Sequence, residues 1–354
     1  MNSSTKDRPR GSRQLSTAVR RLNLALQGGG AHGAFTWGVL DRLLEDERLE
    51  FEGISATSAG AMNAAVLVYG YQQGGRESAR QALDQFWRRI ARAAELSPLR
   101  ATWWDRLTGN RALENSPAFQ WLDVVSRLLS PYQLNPLNWN PLRDVLAASV
   151  DFDELCAKQM PIKLFLSATN VRSGKVKVFS GKEISADAVL ASGCLPFIFQ
   201  AVEIDGEHYW DGGYMGNPAL FPLIYNCDAP DVLVVHINPM RREELPVTAG
   251  EIMNRINEIS FNSSLMREMR AIGFVTRLID EQRGGARDLK RLYIHSISAE
   301  AVMQHLSALS KLNADWDFLQ ELKEAGRAQA AAWLEAHFDA IGRQSTVDIA
   351  GTYL

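Results

Sequence analysis

Two turns in the first part of the chain carry residues that could do chemistry together. The first, residues 28–31 with Gly33, follows a short apolar run and opens a helical pattern. Backbone N–H groups at such a turn converge on one point and favour an anion. The second turn places Ser58 between the small residues Ala56 and Gly60, as a nucleophile elbow requires, because its serine occupies a strained turn with an exposed hydroxyl. One turn can hold an oxyanion and the other can supply the attacking oxygen, which indicates acyl transfer.

Asp211 is the third candidate for the chemistry. It follows a predicted hairpin strand and precedes Gly212 and Gly213. A carboxylate held there could reach the Ser58 hydroxyl, although Asp-Gly also favours a plain Asx-turn. His236 comes later in the chain and could complete the order Ser, Asp, His, but we interpret it first as a core or loop histidine.

Both turns also admit other interpretations. The spacing of Gly28, Gly30 and Gly33 matches the dinucleotide fingerprint. That fingerprint requires an acidic residue at the tip of the second strand, and here the tip carries none, nor does a Gly-Lys-Ser/Thr phosphate loop follow. A further alternative is that the glycine turn is purely structural and binds no ligand. Ser58 could also be a helix N-cap, a role that Thr57 could fill instead.

The pattern of elements predicts where these residues lie. Residues 22–26 and 50–56 are short apolar runs typical of buried strands, and residues 34–47 and 60–71 have helical spacing. Such alternation predicts a three-layer α/β/α fold with a mainly parallel sheet. Further strands are predicted at 161–170, 176–179, 201–204, 208–210, 231–238 and 291–297, and further helices at 77–92, 142–150, 152–157, 184–195, 251–279 and 314–341. Reactive residues gather at the carboxyl ends of parallel strands, where the glycine loop and Ser58 both fall.

The segments divide the chain into regions of different character. Residues 1–21 read as a disordered basic arm, and 22–225 as a catalytic domain. Within that domain, 98–141 is a helical insertion rich in Trp and Pro, which could be a lipid-facing lid or a satellite core. Residues 226–354 are expected to be a helical carboxy-terminal extension packed on the same domain.

Composition narrows the classes of function. The 354 residues carry a net charge of -3, which argues against nucleic-acid binding. Three scattered cysteines indicate no disulfide framework, and no cluster has the spacing of metal ligands, so we expect no metal or cofactor. The chain shows no secretory signal and no run long enough to span a bilayer. We therefore expect a cytoplasmic protein, peripheral to a membrane at most, and the sequence does not fix its oligomeric state.

The motifs together resemble the patatin-like phospholipase family. They occur in the family's order over residues 22–225, and they are the glycine loop, the elbow serine, the run 191–197 and the Asp-Gly-Gly triplet. The resemblance implies a lipid acyl hydrolase with Ser58 as nucleophile, Asp211 as base and no catalytic histidine. It implies that the oxyanion donors are Gly28, Gly29, Gly30 and Ala31. Two positions depart from the pattern: Ala56 stands where the elbow usually begins with Gly, and His32 where the loop usually has Arg or Lys, which makes charge assistance depend on pH.

The expected function is serine-dependent hydrolysis of carboxylic esters of the phospholipase A, lysophospholipase or esterase type. The substrate is then a lipid or another acyl ester, and the acyl length and head group stay open. An intracellular polyester depolymerase, a thioesterase or an acyltransferase would use the same dyad. A catalytically silent lipid-binding scaffold is the alternative outside enzymes.

Overall fold

The computed structural model describes residues 19–95, 129–281 and 289–353, apart from residues 305 and 307. Most of the insertion predicted at 98–141 and of the arm predicted at 1–21 therefore lies outside the described residues. The strands are β1 (Arg20–Leu26), β2 (Leu49–Ala56), β3 (Lys163–Asn170), β4 (Val176–Ser180), β5 (Val202–Ile204), β6 (Glu207–Asp211), β7 (Asp231–His236) and β8 (Tyr293–Ser298). The first strand begins at Arg20, inside the predicted arm.

The strands form one mixed sheet in the order β5-β6-β3-β2-β1-β7-β8, with β4 paired to β3. β1, β2, β3, β7 and β8 run parallel to their neighbours in that group. The hairpin strands β4, β5 and β6 pair antiparallel. The mainly parallel sheet predicted from the sequence is thus confirmed. β7 and β8 extend the same sheet, although they lie beyond the boundary predicted at residue 225.

Helices cover both faces of this sheet. They are α1 (Gly33–Leu44), α2 (Ala59–Glu95), α3 (Pro131–Leu134), α4 (Pro141–Ala147), α5 (Phe152–Ala157), α6 (Ala186–Ser192), α7 (Phe221–Asn226), α8 (Ala249–Asp280), α9 (Glu300–Met303), α10 (Trp316–His337) and α11 (Ile349–Tyr353). α2 is kinked at Gly74 and Gly75, whose backbones are not helical. The sequence predicted separate helices on the two sides of that kink and did not predict α7, α9 or α11.

Two hydrophobic cores lie on the opposite faces. Successive strand side chains point to opposite sides of a sheet, so Leu24 and Leu26 of β1 pack with α1, α2 and α10, whereas Ala25 packs with α7 and α8. In β7, Leu233 packs in the same core as Leu24, and Val234 packs in the core of Ala25. Both sides of the strands are apolar for this reason, and the chain is a three-layer α/β/α structure.

Candidate active site

Ser58 occupies the tight turn between β2 and α2. Its φ is 55°, a left-handed conformation that is strained for a residue with a side chain. Its N–H donates to Ser192 Oγ at 2.9 Å, which fixes the turn against the end of α6. The neighbouring Gly60 must lack a side chain, because a Cβ there would lie 2.5 Å from the Leu26 carbonyl oxygen. The strained, partly exposed serine between small residues has the form of a nucleophile elbow.

Thr57 does not cap the following helix with its side chain. Its hydroxyl donates to the Gly216 carbonyl at 2.6 Å. The Gly60 N–H instead donates to the backbone carbonyl of Thr57. The side-chain role that the sequence suggested for Thr57 is therefore wrong, since its hydroxyl ties the elbow to the turn that follows Asp211.

Asp211 ends β6 and is buried beneath the elbow. Its backbone N–H donates to the Cys194 carbonyl at 2.7 Å, and its carbonyl accepts from the Thr169 hydroxyl at 2.8 Å. Its carboxylate accepts the Gly213 N–H at 2.7 Å, and the Ser58 hydroxyl lies close enough to lower the pKa of that carboxyl. Asp211 therefore makes the Asx-turn and contacts Ser58 at the same time, so the two interpretations of this residue are compatible.

The protonation of Asp211 suits a base at neutral pH. Burial raises the pKa of its carboxyl to about 6, while the Gly213 N–H, the Ser58 hydroxyl and the charge of Lys311 oppose that rise. The group is thus mostly ionised at pH 7 and is more basic than an ordinary aspartate.

The glycine loop lies directly against Ser58. A Cβ on Gly28 would lie 2.5 Å from the Cβ of Ser58, so only glycine allows this approach. Gly30 has a φ of +59° and packs on the carbonyl of Lys311. The Gly28 N–H is already engaged, because it donates to Asn217 Oδ1 at 2.8 Å.

The remaining N–H groups of the loop are available. Gly29, Gly30 and Ala31 precede α1, where the first N–H groups have no intrahelical acceptor, and none of the three has a hydrogen-bond acceptor among the described residues. Gly33 lies one turn further along, and a Cβ there would come 2.8 Å from the Cβ of Ala59. The loop therefore presents up to three unused donors beside the serine.

A buried network of amide side chains holds this loop, and the sequence reasoning missed it. Gln27 Oε1 accepts from the backbone N–H groups of Ile237 and Asn238 at 2.9 and 3.0 Å, and Gln27 Nε2 donates to Asn262 Oδ1 at 3.1 Å. Asn238 Nδ2 donates to the Gly28 carbonyl at 2.9 Å. Gln27 and Asn238 both follow the carboxyl ends of apolar strands, and that placement was a usable signal.

His32 is held neutral in the loop. Its Nε2 lies 2.7 Å from the Ser310 hydroxyl. Burial, with smaller effects from the cations Lys311 and Arg242, lowers its pKa well below the usual value. The expectation that His32 would give the loop a pH-dependent charge is therefore wrong, because a cation there would be desolvated and would face two others.

The other candidate histidines have partners elsewhere. His236 Nε2 lies 2.7 Å from the Tyr353 hydroxyl, and burial lowers the pKa of His236 to about 4. His295 Nε2 lies 2.9 Å from Asp231 Oδ1. Neither of these hydrogen bonds leads to the Ser58–Asp211 pair, so both side chains serve the fold around β7 and β8.

Apolar side chains are exposed in the segments that continue from the elbow's neighbour Gly193. Gly193 follows α6 next to Ser58, where a Cβ would be 3.5 Å from the Ser58 hydroxyl oxygen. The loop that continues from it exposes 70% of Phe197. Gln200 in that loop donates to the Asn135 carbonyl at 2.7 Å, in a segment where Trp139 is 69% exposed. An apolar rim of this kind suits an acyl chain.

Metal-ligand clusters and membrane-spanning helices are both absent from the described parts of the chain. No group of three or more His, Cys, Asp or Glu side chains in those parts could hold a metal ion. Within the same ranges, no helix combines the length and hydropathy that crossing a bilayer requires.

Comparison with known proteins identifies one family. The model of the patatin-like phospholipase family matches residues 24–224, more than half of the chain. No curated protein matches. Among solved structures, VipD from Legionella pneumophila is 15% identical, with 89% of this chain and 67% of that chain covered and a TM-score of 0.40.

A second similar structure is the type III effector ExoU, which is 14% identical with a TM-score of 0.38. That comparison covers 90% of this chain but only 53% of ExoU, so this chain spans about half of it. ExoU in its complex with SpcU from Pseudomonas aeruginosa is 18% identical, with 95% and 75% of the two chains covered and a TM-score of 0.32. By the extent of the family match and the order of its motifs, the chain belongs to the patatin-like phospholipase family, whose members are lipid acyl hydrolases.

Proposed function

We propose that this chain is a serine lipid acyl hydrolase of the phospholipase A, lysophospholipase or esterase type. The observation that carries the proposal is the position of the Ser58 hydroxyl beside the buried Asp211 carboxylate, close enough to lower the pKa of that carboxyl. A nucleophile and a base placed in this way need no histidine between them. The family membership of the chain supports an ester of a lipid as the substrate.

The reaction follows from these positions. Asp211 takes the proton of the Ser58 hydroxyl as the oxygen attacks the ester carbonyl, and the N–H groups of Gly29, Gly30 and Ala31 stabilise the tetrahedral oxyanion. The oxyanion collapses to an acyl-serine, and the leaving alcohol takes the proton from Asp211. Water then attacks the acyl-serine with Asp211 again as base, which releases the fatty acid and restores Ser58.

The exposed apolar rim supports a substrate presented at a lipid surface. Phe197, in the loop that continues from Gly193, and Trp139, in the segment bound by Gln200, expose most of their surface, and aromatic side chains are favoured at a boundary between lipid and water. We propose that the protein contacts membranes or lipid aggregates peripherally at this rim. A polyester depolymerase, thioesterase or acyltransferase would share the dyad but would release different products.

Labelling with a fluorophosphonate tests the proposal. We expect covalent labelling of Ser58, and loss of both labelling and ester hydrolysis in Ser58→Ala, while Ser173→Ala, which changes an exposed turn serine, behaves like the wild type. Loss of a nucleophile leaves only the catalysis of binding and the oxyanion hole. Labelling that mapped to Ser192 or Ser55 would contradict the assignment, and mass spectrometry of lipid extracts treated with the enzyme identifies the substrate.

A further inference from the structure

Lys311 is a cation beside the candidate active site that neither the sequence motifs nor the proposed mechanism uses. It lies in the 3-10 turn Ala308–Leu312, between β8 and α10. Its backbone carbonyl packs on Gly30, and its Nζ donates to Asn238 Oδ1 at 2.8 Å. The same Asn238 side chain binds the Gly28 carbonyl at 2.9 Å. The ammonium is thus one side chain removed from the glycine loop and is close enough to Asp211 to lower the pKa of that carboxyl.

The carboxylates that stabilise the ammonium, Glu258 and Asp211, do so only at longer range. Among the described residues, no carboxylate lies within ion-pair distance of Lys311 Nζ, and its hydrogen-bond partner there is a neutral amide. The nearby Glu258 is already neutralised, because it accepts from Arg242 at 2.6 Å and from Arg255 at 3.1 Å. Lys311 is therefore a cation without a direct ion-pair partner among the described residues.

Such a placement is costly unless the charge meets an anion. Burial is the main cause that lowers the pKa of Lys311, and a desolvated charge without a partner destabilises a fold. Lys311 as a whole residue is nevertheless only half-buried. An ammonium with unused N–H groups next to a glycine loop is a recurrent binder of phosphate.

We propose that Lys311 binds an anionic phosphate group of the substrate and so makes this enzyme prefer phosphate-bearing acyl esters over neutral ones. This inference rests on the proposed hydrolase function, since the bound phosphate lies beside the serine that attacks the ester. Lys311 is then a specificity-determining residue supplied by the carboxy-terminal part of the chain. Lys311 lies close enough to His32 to help lower the pKa of that ring, so the lysine and not the histidine carries the positive charge here.

Equilibrium binding tests the proposal without requiring turnover. In the inactive Ser58→Ala protein, we expect dodecyl phosphate, below its critical micelle concentration, to bind more tightly than the neutral ether 1-O-dodecylglycerol. Adding Lys311→Met should weaken binding of dodecyl phosphate by about 10- to 100-fold, the range for a hydrogen bond to a charged group. It should change binding of the neutral ether by less than about twofold. Lys311→Gln, which keeps a donor for Asn238 but removes the charge, should behave like Lys311→Met.

Lys290→Met is the matched control, because Lys290 is also partly buried but donates to backbone carbonyls of residues 224 and 227 at the other end of β8. Binding in that variant should equal that of its Ser58→Ala parent. Inorganic phosphate distinguishes the two sources of the anion: weak or absent binding supports a lipid headgroup, and binding as tight as that of dodecyl phosphate would overturn it in favour of free phosphate. Equal weakening of the charged and neutral ligands in Lys311→Met would also overturn the proposal, since the residue would then only support the loop.

A parallel kinetic comparison separates this inference from the proposed function. At about pH 8, where Asp211 stays ionised with or without Lys311, Lys311→Met in the enzyme with Ser58 intact should lower kcat/KM for a monoacylglycerol phosphate by about 10- to 100-fold and leave that for the matching monoacylglycerol nearly unchanged. If the wild type hydrolysed neither ester, the proposed function would fail, while the binding measurements would still decide the role of Lys311.

Discussion

The pH dependence of hydrolysis follows from the environment of Asp211. A base acts only when it is ionised, and burial raises the pKa of this carboxyl to about 6. About nine-tenths of the enzyme therefore holds the base ionised at pH 7 and about one-tenth at pH 5. We expect kcat/KM to fall about tenfold between pH 7 and pH 5 and to be level above neutrality.

The charge of Lys311 also affects the pH dependence of hydrolysis, which gives a second test. Its positive charge lowers the pKa of Asp211, so Lys311→Met should raise that pKa and move the midpoint of the profile to higher pH. His32 should add no limb, because its pKa lies well below the usual value. The pH profiles of kcat/KM for Lys311→Met and the wild type should therefore each show one titration, and only its midpoint should differ.

The assay is hydrolysis of a short, neutral p-nitrophenyl ester at constant ionic strength over roughly pH 4.5 to 9. A neutral ester keeps the proposed phosphate contact of Lys311 out of the measurement, and a fluorescence or circular-dichroism check at each pH separates titration from unfolding. A flat profile between pH 5 and pH 7 would refute the role of Asp211 as the ionised base. A midpoint that stayed fixed in a folded Lys311→Met protein would refute the electrostatic contact between the two residues.

Four further substitutions test the site. Asp211→Asn should abolish hydrolysis but raise the melting temperature, since a pKa raised from 3.8 to about 6 corresponds to about 3 kcal/mol of unfavourable ionisation in the folded protein at neutral pH; an active or a strongly destabilised variant would contradict this. That stabilisation should vanish below the unfolded pKa, where both states hold the proton. Gly30→Ala should lower turnover by about 100- to 1000-fold, as loss of an oxyanion donor does, and thermal melting must show that the strained turn still folds; near-normal turnover would make the loop structural. His236→Ala and His295→Ala should lower the melting temperature, because each leaves a buried partner unsatisfied, yet retain most of kcat/KM; loss of turnover in either folded variant would favour a triad.

The sequence by itself determined the elements and the candidate residues. Apolar runs and helical spacing predicted β1, β2, α1 and the first half of α2, because burial on a sheet imposes a pattern that is visible locally. Small residues around Ser58 marked the strained elbow, since few residue types can adopt such a turn, and the Asp-Gly-Gly triplet marked the turn after β6. The roles of these residues as nucleophile, base and oxyanion donors stay predictions.

Other features were decided only by the tertiary structure. The sequence indicated four oxyanion donors, but the Asn217 side chain, 189 positions from Gly28, occupies one of them. It suggested a titratable His32, but Ser310, 278 positions away, lies in hydrogen-bond contact with that ring in a buried site. It gave no sign of Lys311.

The physical reason lies in what fixes each property. Whether a segment forms a strand or a turn depends on its own residues and on the spacing of its buried positions. The local sequence is therefore enough to predict it. A pKa, a free N–H group or an unpaired charge depends on which groups the fold brings within a few ångströms. The loop between β8 and α10 is far from the glycine loop in sequence and touches it only because β7 and β1 are neighbours in the sheet.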